Sequence, residues 1–346
     1  MRMCGKHLCV AVASSSFGGL VGGQTGLLPA TDPAFGAGLW MSSAANEDLD
    51  EAVVGNPFGL SGDFVDDDGL LFSFTDTGLA PVTIVDFLAI FSASEAGFPS
   101  GDLLGFHVLP DARVLLCYDA SSGPLADSIA IYNPRTQGIE TVFDLSTFFE
   151  DPDAVSITAN GDILFSTSSF GTVPASLSAT GADLVIDDGD ILVLEAGSGL
   201  VSRLITEADI FGPVSGNDIN AIHWVDANTL LLSNDRDQDI PGIGFTLEEA
   251  VFEYDLVTLT ATREFFNALD PFVSTSDTEA IFLTDVAIPL CPVDVAGGAG
   301  LDGADASALV NGVAASDAAF DLAFPLGPVD SFDLAGGLQI FGDGCP

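Results

Sequence analysis

The sequence predicts an all-β fold, a β-propeller of four blades, followed by a small α-helical module. The first observation is a pattern of strand, tight polar turn and strand that occurs three times, beginning at Leu103, Ala154 and Ala221. A polar loop of variable length and two further strands follow each copy. Four short antiparallel strands joined by tight turns form one propeller blade. The second observation is the hydrophobic fraction of 48% over 346 residues, which is enough for one large core and a small second unit.

The first 23 residues have the layout of a secretory signal. Arg2 and Lys6 precede a short apolar run from Leu8, and the small residues Val21 and Gly23 suit cleavage before Gln24. The apolar run is too short and glycine-rich for a membrane span. We therefore expect a signal peptide at 1–23, a linker at 24–37 and an extracellular or cell-surface location with no membrane span. A cytoplasmic N-terminus is the alternative.

The repeats justify the blades one by one. Their first two strands read LLGFHVLPDARVLLCY, AVSITANGDILFST and AIHWVDANTLLLSN, their third strands SIAIYN, DILVLEA and AVFEYD, and their fourth strands IETVFD, LVSRLIT and ATREFF. A fourth copy is split, since residues 38–87 match strands two to four and DTEAIFLTD from Asp277 matches the missing first strand. Residues 38–288 are therefore predicted to form a ring whose first blade is closed by strands from both ends, with no open sheet edge. A β-sandwich and a fifth blade are the alternatives.

Charge narrows the classes of partner. The net charge is −44, from 51 acidic and 7 basic residues, so the chain repels nucleic acids and anionic lipids. Acidic stretches fall between the second and third strands of the repeats, and we expect them to gather on one face: 46–52, 63–69, 182–190 and 234–239. Such carboxylates either bind Ca²⁺ or another hard cation, or remain solvated loop charge.

Export also affects the cysteines. Cys4 and Cys9 would leave with the signal, and Cys117 lies in an apolar run that predicts a buried, unreactive thiol. Cys291 and Cys345 bracket the C-terminal segment, and we predict a disulfide between them in an oxidising compartment.

Several short motifs follow Cys291 in a fixed order. They are CP at 291–292, the loop DVAGGAGLDGAD from Asp294, ASALVNGV, the loop DLAFPLGPVDSFD from Asp321, LAGGLQIF and a terminal GCP. This segment resembles a dockerin, of the degenerate two-repeat kind found at the C-termini of secreted planctomycete-like bacterial proteins. The resemblance covers about 56 of 346 residues and assigns a dockerin-like domain to 289–346.

In dockerins, each loop supplies oxygens to Ca²⁺ and the paired helices bind a cohesin on another protein. The resemblance therefore implies Ca²⁺ and a cohesin-like or other extracellular or cell-surface protein partner through residues 291–346. Ala296 and Gly298 lack the side-chain oxygens that two ligand positions need, so the first site is eroded. The alternative is that Asp302, Asp305, Asp330 and Asp333 cap helix N-termini. The implied ligands are Asp294, Asp302 and Asp305 in the first loop and Asp321, Asp330 and Asp333 in the second.

Catalytic motifs are scarce. Of the three histidines, His7 lies in the signal, while His107 and His223 occupy equivalent places in two repeats, which predicts a structural role. No metalloprotease, serine-hydrolase, phosphate-loop or dinucleotide motif occurs in a supporting context, and no organic cofactor is expected. The prediction is a secreted, non-catalytic propeller that acts as a binding or scaffolding unit, with carbohydrate as a further possible ligand. The alternatives are a metal-dependent extracellular hydrolase of polysaccharide or lactone, with its site in the propeller channel, and a purely structural surface protein.

Overall fold

The computed structural model describes residues 34–35, 38–43, 68–75, 83–92, 102–111, 113–119, 127–133, 138–146, 152–213, 216–248, 250–267, 278–284 and 288–289, with the single residues 307, 310, 311 and 314. Strands dominate this part of the chain, and the all-β class is confirmed. Within the described residues, no helix is long and apolar enough to cross a membrane.

The elements follow one another in this order: β1 (Ala34–Phe35), β2 (Gly38–Ser43), β3 (Asp68–Thr75), β4 (Thr83–Ser92), β5 (Leu103–Val108), β6 (Val114–Tyr118), β7 (Ser128–Asn133), β8 (Gly138–Asp144), β9 (Pro152–Ile157), β10 (Ile163–Thr167), β11 (Gly171–Val173), β12 (Leu184–Ile186), β13 (Ile191–Leu194), β14 (Val201–Ile205), α1 (Glu207–Phe211), β15 (Ala221–Asp226), β16 (Thr229–Ser233), β17 (Gln238–Ile240), β18 (Gly244–Thr246), β19 (Ala250–Asp255), β20 (Thr260–Asn267), β21 (Thr278–Thr284) and β22 (Ile288–Pro289).

The long strands form four antiparallel sheets of four strands each within the described residues. We number them along the chain: sheet I has the order β21-β2-β3-β4, sheet II β5-β6-β7-β8, sheet III β9-β10-β13-β14 and sheet IV β15-β16-β19-β20. The short strands pair as β1-β22, β11-β12 and β17-β18. The pair β1-β22 was not predicted, because β1 lies in the segment that the sequence assigned to a linker.

Sheet I is assembled from two distant parts of the chain, as the split repeat predicts. Strand β21 pairs antiparallel with β2, with Trp40 opposite Phe282 and Met41 opposite Ile281. An apolar residue therefore stands at the same register position on both sides of the junction. The strand that closes the sheet comes from the end of the repeat region.

The first strands of the four sheets contact one another in a circle. Strand β5 contacts β9, β9 contacts β15, β15 contacts β21, and β21 contacts β5. Contacts also cross the circle, between β5 and β15 and between β9 and β21. The fold is therefore propeller-like, with the four first strands grouped around a narrow centre.

Apolar side chains fill the spaces between neighbouring sheets. Strands β5 and β6 are buried along their whole length, whereas β8 at the outer edge of sheet II has no buried residue. Strands covered on both faces have continuous apolar sequences and not alternating ones. One cluster joins sheets I and II through Trp40 and Phe106, another joins II and III through Leu115 and Phe165, and a third joins III and IV.

Hydroxyl groups at one repeated position link adjacent sheets. Ser166 Oγ in sheet III donates to the carbonyl oxygen of Ile219, just before sheet IV, at 2.8 Å. Ser233 Oγ in sheet IV donates to the carbonyl oxygen of Thr278 in sheet I at 2.5 Å. Both bonds are buried, where a lost hydrogen bond is costly, so they fix the angular position of each sheet against the next.

Candidate functional site

Four equivalent residues meet at the centre of the ring. His107, Ser156 and His223 lie in β5, β9 and β15 opposite Leu115, Leu164 and Leu231, and Phe282 lies in β21 opposite Trp40. The two imidazoles stack with ring centroids 5.8 Å apart and planes inclined by 18°. Phe282 places its ring edge-on to both, at 4.7 Å from His107 and 5.6 Å from His223. Packed side chains therefore occupy the centre at this level.

The polar atoms of this layer bond to the surrounding strands. Ser156 Oγ accepts a hydrogen bond from the backbone N–H of Trp224 at 2.9 Å and lies 3.5 Å from His107 Nδ1. His223 Nδ1 accepts from the N–H of Leu283 at 3.4 Å, which requires that nitrogen to be unprotonated. Each bond joins two different sheets. The structural role predicted for the histidines therefore agrees with their contacts.

Both histidines are neutral at pH 7. Burial lowers the pKa of His223 to about 3. Burial, followed by the charge of His223, lowers the pKa of His107 well below its usual value. Two stacked imidazoles removed from water disfavour any positive charge.

A pair of carboxyl groups lies at the end of the ring where the first strands begin. The Asp153 side chain, in β9, forms a hydrogen bond with that of Asp218, which precedes β15. Burial, then the negative charge of Asp153, raises the pKa of Asp218 to about 10. Two neighbouring carboxyl groups share a proton because both cannot ionise cheaply. At pH 7 the pair therefore holds one proton.

Replacing Asp218 by Asn should stabilise the protein at neutral and alkaline pH. The folded-state pKa is raised, so the folded protein binds more protons than the unfolded chain, and stability falls as pH rises above about 4. The amide keeps a donor for Asp153 but cannot ionise. We expect a gain of about 1 to 3 kcal/mol in the free energy of unfolding at pH 8, and a smaller gain at pH 4, measured by urea denaturation. Asp226→Asn, at an exposed turn, is the control. A loss of stability at pH 8 would contradict the assignment.

Two further buried carboxylates have structural partners at this end. Asp190 accepts hydrogen bonds from the N–H groups of Glu207 at 2.9 Å and Asp187 at 3.0 Å, and Arg203 Nε lies 2.8 Å away. Glu207 accepts from the N–H of Asn217 at 2.9 Å. Burial raises the pKa of both carboxyl groups. They join the loop after β12, the start of α1 and the segment before β15.

Two of the four predicted acidic loops do gather here. The charge of Asp188, from the stretch 182–190, acts on Asp218 and on Arg236, which belongs to the stretch 234–239. The stretch 46–52 and most of 63–69 lie outside the described residues. Within the described part of the chain, no three His, Cys, Asp or Glu side chains form a group that could hold a metal ion.

The same two loops carry short hairpins that sequence reasoning missed. Strands β11 and β12 pair in the loop of sheet III, and β17 and β18 pair in the loop of sheet IV. Phe170 is 79% exposed, Val185 64% and Phe245 63%. The short runs GTV, LVI and GFT mark these strands in the sequence. Each run is too short for its periodicity to distinguish a strand from a polar loop.

A cavity opens at the opposite end of the ring, between sheets III and IV. Its volume is about 550 Å³, and its lining includes His107, Thr158, Asp162, Trp224 and Asp226. The lining carboxylates already accept backbone bonds, Asp162 from Ala196 and Asp226 from Asn228. The cavity thus combines one aromatic wall with polar groups that are held in place.

The site predicted from the C-terminal resemblance is not among the described residues. This applies to Asp294, Asp302, Asp305, Asp321, Asp330 and Asp333 and to the predicted disulfide between Cys291 and Cys345. Cys117 is fully buried, as expected, and its Sγ lies 3.8 Å from the carbonyl oxygen of Gly105.

Comparison with known proteins gives structural likeness only. No protein-family model matches the chain, and no curated protein sequence matches it. Among solved structures, a chain of a nidogen/laminin complex matches with a TM-score of 0.31 and 9% identity, covering 73% of this chain and 98% of that one. A Bacteroides caccae protein of unknown function matches with a TM-score of 0.33 and 11% identity, covering 74% and 99%.

Proposed function

We propose that this protein is a secreted, non-catalytic binding or scaffolding unit, a closed propeller of four blades tethered by the dockerin-like module at 289–346. The observation that carries the proposal is the filled centre of the ring. His107, His223 and Phe282 pack there as buried groups, and both histidines are neutral. A centre built for packing leaves the ends of the ring as the surfaces for recognition.

The tether is tested by comparing the full chain with a chain that ends at residue 289. Each is immobilised and exposed to the extracellular protein fraction of the native source. We expect a defined partner to be retained by the full chain and lost with the shortened one. Equal retention by both would show that residues 290–346 do not dock.

The dockerin resemblance implies that the tether depends on calcium, through the aspartates that its eroded loops retain. Ca²⁺ that binds only the folded state raises the melting temperature by mass action. We expect millimolar Ca²⁺ to raise the melting temperature of the full chain, and the double variant Asp302→Asn/Asp305→Asn to remove this shift. The chain ending at residue 289 controls for sites in the ring. An unchanged melt of the full chain would assign these aspartates to helix capping instead.

The second candidate is a hydrolase of polysaccharide or lactone, and the cavity between sheets III and IV is the observation that favours it. Its volume and its wall of Trp224 suit a small ligand or a sugar ring. Incubation of the purified chain with neutral polysaccharides and lactones, with and without Ca²⁺, decides between the two. Turnover that falls in Asp162→Asn and Asp226→Asn would replace the binding role with a catalytic one.

A further inference from the structure

We propose that the two hairpins at the acidic end form a docking surface for a basic polypeptide that inserts apolar side chains between its Lys or Arg residues. This inference rests on the proposed binding role and names the partner of one end of the ring. We call the surface the hairpin face. It consists of Phe170, Val185 and Phe245, with the exposed acidic residues Asp183, Asp187, Asp237 and Asp239.

The exposure of the three apolar side chains follows from the way the hairpins pack on the ring. Each hairpin has buried residues on its other side: Val173 and Ile186 are 0% exposed in the first, and Ile240 is 1% exposed in the second. Side chains alternate along a strand, so Val185 and Phe245, each next to a buried residue, point to solvent, and Phe170 directly precedes β11. The hairpins are therefore anchored on one side and present Phe170, Val185 and Phe245 on the other in a fixed position.

The two hairpins belong to one surface. They occupy the same place in neighbouring sheets, between the second and third strands. The loops that carry them are joined by hydrogen bonds: Asp190, after the first hairpin, accepts from Glu207, whose carboxylate accepts from the N–H of Asn217. The next N–H, of Asp218, donates to Asp235 beside the second hairpin at 3.0 Å. Exposed aromatic side chains surrounded by polar residues are typical of protein interfaces, which are enriched in aromatic groups at their centre.

The negative charge of the hairpin face favours a basic partner. Two arginines lie near it, and each is already paired, Arg203 with Asp190 and Arg236 with Asp235. In the second hairpin, Asp239 of β17 stands directly opposite Phe245 of β18, so a carboxylate adjoins the exposed phenylalanine. A partner with Lys or Arg beside its own apolar residues complements this arrangement. A second copy of this chain, a nucleic acid and an anionic lipid surface are all repelled.

Two synthetic peptides of equal length and charge test the proposal, one alternating Lys with Leu and one alternating Lys with Gly. Binding to the full chain is measured by titration calorimetry at two salt concentrations. We expect the Lys-Leu peptide to bind about tenfold more tightly, and the double variant Phe170→Ser/Phe245→Ser to abolish that difference. The matched control is Val257→Ser/Leu259→Ser, which removes two exposed apolar side chains from the β19–β20 turn at the opposite end and should leave the difference intact.

The electrostatic part has its own pair of variants. Asp187→Asn/Asp239→Asn should weaken binding of both peptides and flatten the salt dependence, whereas Glu140→Gln/Glu195→Gln, with the same change in charge outside the hairpin face, should do neither. Thermal melting of each variant verifies folding. Equal affinity of the two peptides, or an apolar preference that survives the loss of both phenylalanines, would overturn the proposal and leave only diffuse attraction to an acidic protein.

The result is independent of the tether. The chain ending at residue 289 retains the whole hairpin face and should bind the Lys-Leu peptide as the full chain does. If both chains discriminate between the peptides but the full chain does not dock through its C-terminal segment, the hairpin face is supported and the tether is contradicted. If the full chain docks through its C-terminal segment but neither chain discriminates between the peptides, the tether is supported and the hairpin face is contradicted.

Discussion

Gly105→Ala should lower the free energy of unfolding by about 2 kcal/mol, the cost of overpacking a tightly packed core. A methyl group at this position would stand 2.7 Å from the backbone nitrogen of Val155, 2.8 Å from Cys117 Sγ and 3.1 Å from Ala154 Cα. Two of these atoms belong to the backbone of β9, so the methyl group can be accommodated only if β5 and β9 move apart. The gain from a stiffer unfolded chain, about 0.4 to 1 kcal/mol, offsets part of the cost.

Gly197→Ala is the matched control for this prediction. No atom lies within 4 Å of a methyl group at that position, which is an exposed turn between β13 and β14. We expect a change within about 0.5 kcal/mol. Both variants are compared by urea denaturation with the slope of the transition checked for two-state behaviour. Equal stability of the two variants would contradict the close approach of the first strands.

Acidification should destabilise the protein through the stacked histidines. The folded-state pKa values of His107 and His223 lie below the unfolded value near 6.5, so the unfolded chain binds more protons below that pH. The stability contributed by the neutral pair is complete above pH 6.5 and is lost as pH falls toward 3. Each histidine contributes a slope of up to about 1.4 kcal/mol per pH unit in that window.

The variant His107→Asn/His223→Asn isolates this contribution. The Asn side-chain oxygen replaces the Nδ1 acceptor for the Leu283 N–H, and it has no proton to gain. Since Asp218 changes stability in the opposite direction over the same range, the quantity to measure is the difference between the two proteins at pH 7 and at pH 4.5. We expect wild type to lose more stability than the variant. Parallel pH profiles would show that the histidines are solvated rather than stacked.

The propeller-like fold could be predicted from the sequence because its pattern of strands repeats. Leu115, Leu164 and Leu231 recur at one place in three repeats, and the segment at Asp277 fills the place missing near the N-terminus. The register of β2 with β21 then follows, because a slip of one residue would turn Trp40 and Phe282 out of the core. Equivalent positions of His107 and His223 also predicted a structural role, and their buried contacts agree with it.

The residues of the candidate surface were harder to predict from the sequence, for physical reasons. Ser156 and Phe282 share the histidines' position, but nothing in their chemistry marks them as partners of an imidazole until the strands are brought together. Asp153 and Asp218 are 65 residues apart in the sequence, and their shared proton depends on burial, which charge counting does not supply. The exposure of Phe170 and Phe245 has no signal in the sequence, since an isolated phenylalanine in a short run has no period that assigns it to solvent.

Carbodiimide cross-linking of the native complex tests the central claim, that this chain binds a protein partner without transforming it. The reagent couples carboxylates to lysines, and the single lysine of this chain, Lys6, lies in the predicted signal. Nearly every cross-link that involves this chain must therefore join one of its acids to a lysine of the partner. Mass spectrometry should place the cross-links on Asp183, Asp187, Asp237 and Asp239 and recover the partner intact. Cross-links spread evenly over the acidic surface, or a partner that is cleaved or released as product, would contradict the account.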